Sequence, residues 1–264
     1  MPHTSAILNV MIKAARQAAR GLQRDFGEIE ALQVSRKGAA DFVTAADTRA
    51  EYAIFEELSQ ARPKYGFVME ERGEIEGADN SNRWIIDPLD GTTNFLHGLP
   101  QFAISIGLER DRQPYAGVVY NPITDELYYA EKGQGAWLND TRLRVSSRTD
   151  LSECLFACGL PFKDRPGRSE ALKEVDAVLS QTAGIRRFGA AALDLANVAA
   201  GRFDAFWERD LNIWDVCAGI VLVREAGGIV QEIDGGNNPQ TAGSILATNS
   251  DLSTVAQKLL RDSY

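Results

Sequence analysis

The sequence predicts a protein that is α+β in its first half and α/β in its second half. Short apolar runs separated by turn residues dominate residues 84–138, which is typical of an antiparallel meander. Later in the chain, apolar runs alternate with segments of helical spacing, which is typical of α/β folds. The chain of 264 residues is long enough for a substantial core. We therefore expect a single compact unit over 1–264, with an antiparallel-sheet α+β half at 1–148 and an α/β half at 149–264.

Two helices are predicted at the start of the chain. Apolar side chains recur at helical spacing over residues 5–25, and Gly27 is expected to end this first helix. A loop and a short extended piece at Asp41–Thr44 follow. Asp47 is expected to open the second helix, which ends near Pro63.

The strands of the first half follow a polar, glycine-bearing segment at 73–82, which we predict to be a surface loop. The predicted strands are Trp84–Ile86, Phe102–Ile106, Tyr115–Tyr120 and Leu127–Ala130. Pro88 is expected to end the first of them, because proline cannot donate to a β ladder.

The second half contains four predicted strands and three predicted helices. The strands are Leu155–Cys158, Ile185–Phe188, Ile229–Ile233 and Ser244–Ala247. The helices are Ala190–Ala200, Trp214–Ala226 and Leu252–Leu260.

The composition excludes several classes of protein. A net charge of −9 and a pI of about 4.9 argue against direct binding of nucleic acid, although metal ions could still attract a small anionic substrate. Three cysteines without a CxxC pair provide no disulfide framework, and two histidines leave little for a His-based triad. No apolar run is long enough to span a membrane, and no signal peptide is recognisable. We expect a cytoplasmic protein.

The most informative run is Asp-Pro-Leu-Asp-Gly-Thr-Thr-Asn-Phe at 87–95. Asp87 and Asp90 follow a buried strand, and open α/β sheets bind ligands at the carboxyl ends of their strands. Gly91 allows close approach of the backbone, and residues 91–94 offer N–H and hydroxyl donors that suit a phosphate. Carboxylates for a metal and donors for a phosphate predict metal-assisted phosphoryl chemistry.

Further acidic residues stand at Asp47, Glu70–Glu71 and Asp215. Each has an ordinary structural explanation, which is favoured when the residue is considered alone. Asp47 and Asp215 could cap helices, and the glutamate pair could be a solvated turn. Hard oxygen ligands of this kind favour Mg²⁺ or Mn²⁺ over zinc. It is their occurrence in order around the 87–95 run that favours a shared metal site.

These motifs resemble the inositol monophosphatases, most closely their bacterial SuhB branch, over about residues 5–260. The resemblance rests on Glu70–Glu71, Asp87–Phe95 and Trp214–Gly219, with support from Asp41–Asp47 and Gly189–Leu195. It implies the layered α-β-α-β-α sandwich shared with fructose-1,6-bisphosphatase, a homodimer, Mg²⁺ dependence and sensitivity to lithium.

The same resemblance implies two metal sites, and possible replacement of Mg²⁺ by Mn²⁺. Glu70, Asp87 and the carbonyl of Leu89 would hold a first ion, leaving the Leu89 side chain free to vary. Asp87, Asp90 and Asp215 would hold a second ion, with Asp87 as the bridge. Glu70 would also support a weaker third site through water.

Catalytic and substrate-binding roles are implied in the same way. Asp47 and Thr92 would orient and activate the attacking water, with Glu70 as a further catalytic residue. Gly91 and Thr92 would bind the phosphate. The inositol ring would be faced by Asp90, Gly189, Ala191, Glu208 and Asp215.

Thr93-Asn94 resembles the inositol monophosphatase subgroup, and Glu208 suits the hydroxyl groups of a neutral polyol. The expected substrate is therefore myo-inositol-1-phosphate, with related polyol monophosphates. The enzymatic alternatives are a histidinol-phosphate phosphatase and another sugar or nucleotide phosphatase of the superfamily. The resemblance also implies a different class, in which the chain is a protein partner of the transcription machinery in antitermination that retains its phosphatase site.

A few positions have individual expectations. Lys37 resembles a lysine of the loop before the Asp41 motif. Met69 and Ala190 depart from the residues common in the family, and Arg209 could change which phosphates are accepted.

Overall fold

The computed structural model describes residues 4–32, 39–161 and 166–263, without the side chains of 29–32, 39–44 and 242. The described helices are α1 (Ala6–Leu32), α2 (Ala39–Ala61), α3 (Thr92–Leu96), α4 (Arg168–Leu179), α5 (Ala191–Ala199), α6 (Ile213–Glu225), α7 (Pro239–Ala242) and α8 (Ser253–Arg261). The strands of the first half are β1 (Tyr65–Met69), β2 (Gly73–Ile75), β3 (Asp79–Asp90), β4 (Ala103–Arg110), β5 (Gln113–Asn121), β6 (Glu126–Glu131), β7 (Gly135–Leu138) and β8 (Thr141–Arg142). The strands of the second half are β9 (Leu155–Cys158), β10 (Gly184–Arg186), β11 (Ala205–Arg209), β12 (Ile229–Gln231) and β13 (Ser244–Thr248).

The first sheet has eight strands in the order β2-β1-β3-β4-β5-β6-β7-β8. Every neighbouring pair is antiparallel except β1 and β3, which run parallel. The predicted antiparallel sheet of the first half is thus confirmed apart from that pair. The parallel pair places the carboxyl ends of β1 and β3 at the same edge, which matters for the site below.

The second sheet has five strands in the order β10-β9-β11-β13-β12. The β10, β9 and β11 strands are mutually parallel, and β13 pairs antiparallel with both β11 and β12. Helices α4 and α8 cover one face of this sheet through a core that includes Phe156 and Trp207.

Helices α5 and α6 form the layer between the two sheets. Their apolar residues share one core with Val119 of the first sheet and with Phe206 and Ala247 of the second. Helices α1 and α2 cover the opposite face of the first sheet, where their core includes Trp84 and Ile106. The order of layers is therefore α-β-α-β-α, which confirms the expected fold class.

Three predictions about the first half were wrong. Gly27 does not end the first helix, because α1 continues to Leu32 and a single glycine inside a helix costs only about 1 kcal/mol. Asp41–Thr44 is helical rather than extended, because α2 already begins at Ala39 and four alanines of high helix propensity surround the β-branched residues. The predicted surface loop at 73–82 contains the exposed edge strand β2 and the start of β3. The segment is polar because it lies at the edge of the sheet, not because its backbone lacks strand pairing.

Pro88 does not end its strand. In the ladder between β3 and β4, Asp87 pairs with Ser105 and Asp90 pairs with Ala103, and the register shifts between these two pairs. Pro88 lies inside that irregularity, where a residue without an N–H group interrupts no ladder bond. The bulge therefore allows both aspartates to belong to one strand.

Other elements were not predicted from the sequence, namely α4, β7, β8 and β11. No helix in the described ranges is both long and apolar enough to cross a bilayer.

Candidate active site

Five acidic residues, contributed by strands and helices, lie around the carboxyl ends of β1 and β3. Parallel pairing sets Met69 opposite Ile86, so the next residues, Glu70 and Asp87, lie side by side. The amide of Glu70 also donates to the Ile86 carbonyl at 3.2 Å.

Asp215 reaches the same place from the middle layer. It lies in the first turn of α6, directly after Trp214. The Ser105 hydroxyl donates to the Trp214 carbonyl at 3.3 Å, and Ser105 pairs with Asp87 across β3 and β4. One short path of contacts thus connects the start of α6 with Asp87.

These carboxyl groups are close enough to raise one another's pKa. Asp87 is 2% exposed, and burial raises its pKa well above the usual range. Asp90, Glu70, Asp215 and Asp47 raise the pKa of Asp87 further, in that order. Burial, followed by the charge of Asp215, likewise raises the pKa of Asp90. The site therefore concentrates negative charge in a poorly hydrated place.

Asp47 lies inside α2 and is not its N-cap, so the simple structural explanation for this residue is wrong. It is 4% exposed, and no donor within the described chain contacts its Oδ1. Burial is the first cause that raises the pKa of Asp47 to about 8, and the charges of Glu70, Glu71 and Glu51 add to it.

Glu70 is exposed as a residue, yet its carboxyl group is partly withdrawn from water. That withdrawal is the main cause that raises the pKa of Glu70, and the charges of Asp215, Glu71 and Glu51 contribute. A hydrogen bond with Asp87 acts in the opposite direction and lowers the pKa of Glu70.

Asp215 performs the capping role that its position suggests. It forms a reciprocal capping box with Asn212, whose amide donates to Asp215 Oδ2 at 2.7 Å. This role occupies one carboxylate oxygen and is compatible with metal binding by the other.

A divalent cation fits this set of residues in chemistry and charge. Among the described residues, no three acidic, histidine or cysteine side chains are already arranged as metal ligands. Asp87 and Asp90 each accept a backbone amide with one oxygen, from Leu89 at 2.9 Å and from Ala192 at 2.7 Å, which leaves the other oxygen of each for a cation. Carboxylates whose mutual repulsion and burial raise their pKa values are stabilised as anions by a bound cation.

The predicted phosphate loop begins at Gly91, in a conformation that requires glycine. Its φ is 94°, and a Cβ atom there would lie 2.8 Å from the Gln101 carbonyl oxygen. The loop leads into α3, and the Thr92 hydroxyl donates to the Leu89 carbonyl at 3.1 Å. Two predicted site groups are therefore hydrogen-bonded to each other.

The expectation that the Leu89 side chain is free to vary was wrong. Leu89 is fully buried in the core between the first sheet and helices α1 and α2. Its side chain is fixed by packing, although its carbonyl faces the loop.

The segment that carries Gly189 and Ala191 is held against the phosphate loop at both ends. The Asn94 side-chain amide donates to the carbonyls of Gln101 and Phe188, both at 2.7 Å. At the other end, the Ala192 amide donates to Asp90. Asn94 is therefore a clamp between the phosphate loop and the expected ring-binding segment.

Glu208 lies at the carboxyl end of β11, beside the end of the parallel strand β9. The Gly159 amide donates to the Trp207 carbonyl at 3.1 Å, which places the two strand ends together. A Cβ atom on Gly159 would lie 1.8 Å from the Glu208 carboxyl carbon, so the carboxylate packs directly on the glycine. Glu208 also raises the pKa of Asp90.

Arg209 points to the other side of β11, as alternation along a strand requires. Its guanidinium pairs with Glu174 at 2.9 Å and with Asp234 at 3.3 Å. This position is occupied by structural ion pairs and does not support a role in selecting phosphates.

The structure thus brings the predicted residues Asp47, Glu70, Asp87, Leu89, Asp90, Gly91, Thr92 and Asp215 together at one edge of the first sheet. Gly189, Ala191 and Glu208 lie on the adjoining segments, and Lys37 lies outside the described residues. Sequence reasoning missed Glu51, the clamp by Asn94 and the contact of Gly159, because their partners are distant in the chain.

Comparisons with known proteins show the family to which the chain belongs. Residues 3–263 match the model of the inositol monophosphatase family. The chain is 56% identical to an inositol-1-monophosphatase of Caulobacter vibrioides over 95% of this chain and 99% of the relative. It is 43% identical to the Nus factor SuhB of Escherichia coli K12, over 97% and 96% of the two chains. The crystal structure of the extragenic suppressor protein SuhB from Bartonella henselae superposes with a TM-score of 0.88, at 51% identity, over 97% of this chain and 100% of that one.

Proposed function

This chain belongs to the inositol monophosphatase family, and we propose that it hydrolyses myo-inositol-1-phosphate and related polyol monophosphates with the aid of Mg²⁺. The observation that carries this proposal is the concentration of buried carboxylates beside the Gly91 loop. Phosphate monoester hydrolysis needs cations to neutralise the phosphate, and this family is metal-dependent.

The proposed ligands of the first Mg²⁺ are Glu70, Asp87 and the Leu89 carbonyl. Those of the second are Asp87, Asp90 and Asp215, with Asp87 as the bridge, and Glu70 would support a third ion through water. Mn²⁺ has the same preference for oxygen ligands and is the expected substitute. When bound, the metal supplies the positive charge that makes water a better nucleophile and the inositol oxygen a better leaving group.

The residues of the chain position the reactants. Asp47 offers an oxygen that can accept a proton from the attacking water, and the Thr92 hydroxyl, held by the Leu89 carbonyl, orients that water. The amides of Gly91 and Thr92 are the proposed donors to the phosphate oxygens. Because the Asn94 side chain holds this loop to the carbonyls of Gln101 and Phe188, these groups need little reorganisation during the reaction.

The substrate class follows from the second sheet. Glu208 accepts hydrogen bonds from hydroxyl groups and repels a second phosphate, which favours a polyol with a single phosphate. Gly189 and Ala191 leave room for the ring beside Asp90 and Asp215. A histidinol-phosphate phosphatase and a sugar or nucleotide phosphatase are the competing assignments.

A panel of substrates tests the assignment. The values of kcat/KM are compared for inositol-1-phosphate, histidinol phosphate, fructose 1,6-bisphosphate and phosphoadenosine phosphate, with Mg²⁺ and with a chelator. Inositol-1-phosphate is expected to give the highest value, the chelator to abolish hydrolysis, and millimolar lithium to inhibit it. Asp251→Asn, at an exposed turn, is the control for substitutions of the site aspartates. Preference for another substrate, or activity that survives chelation, would contradict the proposal.

A role in transcription is the second candidate, and its support is the 43% identity to a protein named Nus factor SuhB. A pull-down with the purified elongation factor NusA tests it, and absence of binding would count against it. A homodimer is also proposed from the family resemblance, and light scattering of the purified protein measures its mass.

A further inference from the structure

Glu51 is a buried acid for which the proposed mechanism has no use. It lies on α2 one helical turn after Asp47, so the two side chains are neighbours on one face of the helix. Glu51 is 0% exposed, although acidic residues are seldom fully buried without a partner. Its role must therefore lie in the contacts that its carboxylate makes.

Those contacts all go to the turn after Glu70. Glu51 Oε2 accepts the amide of Glu71 at 2.9 Å. Glu51 Oε1 lies 3.5 Å from the guanidinium Nε of Arg72. One buried carboxylate thus contacts one amide and one side chain of the turn.

The Arg72 side chain strengthens this connection. Its guanidinium lies over the rings of Tyr52 and Phe55, at 5.0 and 5.3 Å from their centroids. Phe55 in turn packs on Phe67 of β1, with the centroids 4.9 Å apart. The turn is therefore attached to α2 through the Arg72 side chain as well as through the Glu51 carboxylate.

The turn has few other attachments. It connects β1 to the edge strand β2, whose three residues are all exposed and have a neighbour on one side only. Glu71 adds a negative charge beside Glu70 and Asp47, which raises the pKa of both and pushes the turn away from the site. Some contact must oppose that repulsion.

We propose that Glu51, with Arg72, is a positioning residue that fixes the turn after β1 and thereby holds Glu70 at the metal site. The inference rests on the proposed function in that Glu70 serves as a metal ligand.

The test uses Glu51→Gln and Glu51→Met in the full chain. Gln keeps the size and one acceptor oxygen, whereas Met keeps the size without any oxygen acceptor. Glu57→Gln is the matched control, because Glu57 lies on the same helix and pairs with the exposed Lys13 at 2.7 Å. Circular dichroism confirms that each variant is folded.

Two readouts are independent of catalysis. In the metal-free protein, hydrogen exchange of the Glu71 amide should be about tenfold faster in Glu51→Met, because its acceptor is lost. Calorimetry should show Mg²⁺ affinity lowered by about 10- to 100-fold, as for other residues that orient metal ligands. Glu51→Gln should show smaller changes in the same direction, and Glu57→Gln should match the wild type.

Unchanged exchange and unchanged Mg²⁺ affinity in folded Glu51→Met would overturn the inference. If that variant does not fold, Glu51→Gln and Arg72→Met decide, since each weakens the contact from one side; unchanged Mg²⁺ affinity in both folded variants would then overturn it. A wild-type protein that binds no Mg²⁺ would contradict the proposed function instead, and the exchange experiment would still decide the role of Glu51.

Discussion

The substitution Gly159→Ala displaces the carboxylate of Glu208 without changing any group of the site. An ideal Cβ atom on Gly159 would lie 1.8 Å from the Glu208 carboxyl carbon and 2.0 and 2.1 Å from its two oxygens. Non-bonded carbon atoms stay about 3.5 Å apart, so the carboxylate must retreat by roughly 1.7 Å. The backbone of Gly159 does not have a positive φ, so alanine introduces no backbone strain.

The retreat of Glu208 should remove the hydrogen bond that we propose it accepts from a ring hydroxyl. A hydrogen bond to a charged group contributes about 2 kcal/mol, which corresponds to roughly a 30-fold loss in kcat/KM. The loss should apply to inositol-1-phosphate. Hydrolysis of p-nitrophenyl phosphate, which has no hydroxyl group, should change by less than about threefold, because the metal and phosphate groups stay in place.

The assay measures kcat/KM for both substrates in the wild type, Gly159→Ala and Glu208→Gln. The control is Gly21→Ala in α1, where no described atom lies within 4 Å of the added methyl group. That change should leave both rates unaltered and stabilise the helix by about 0.5–1 kcal/mol. An equal loss for both substrates in Gly159→Ala, or no loss for either, would refute the assignment of Glu208 to the ring.

Three further predictions concern the carboxylates and the phosphate loop. Asp87→Asn should abolish activity. Because it removes a buried like charge, it should also raise the free energy of unfolding of the metal-free protein by on the order of 2 kcal/mol in chemical denaturation. A less stable variant would contradict this. The raised pKa of Asp47, about 8 against 3.8, means that the folded metal-free protein binds more protons than the unfolded chain. The stability of the metal-free protein should therefore fall as pH rises from about 4 to about 8. Thermal unfolding in chelator measures this, and a melting temperature that does not fall would show that the Asp47 carboxyl is unperturbed. Gly91→Ala and Gly98→Ala both place alanine at a positive φ, but only the methyl group at position 91 also clashes with a backbone carbonyl. Only Gly91→Ala should therefore lose phosphatase activity. Equal activities of the two variants would show that the clash is harmless.

The sequence could predict that the proposed metal and phosphate residues lie together, because most of them are local in the chain. Asp87, Asp90, Gly91 and Thr92 lie within six consecutive residues, so their proximity needs no knowledge of the fold. The strand before them was also predictable from its apolar run. Its continuation through Pro88 was not, since a bulge depends on how the neighbouring strand pairs.

Contacts between distant segments could not be predicted in the same way. Asn94 bonds to a carbonyl 94 residues away, and Glu51 bonds to an amide 20 residues away. Nothing in the local pattern around either residue distinguishes such a partner from solvent. Arg209 shows the opposite error: its sequence position beside Glu208 suggested the site, whereas strand alternation directs it to Glu174.

The central claim is that carboxylates from both halves of the chain act together with Mg²⁺ on a phosphate monoester. The most direct test is the rate of phosphate release from inositol-1-phosphate over a range of Mg²⁺ concentrations, for the wild type and Asp215→Asn. Asparagine keeps an oxygen for the capping bond to the Asn212 amide, so the helix is retained. We expect saturable dependence on Mg²⁺ in the wild type and a loss of about 100-fold or more in the variant. Hydrolysis by Asp215→Asn at nearly the wild-type rate, or by the wild type in chelator, would contradict the claim.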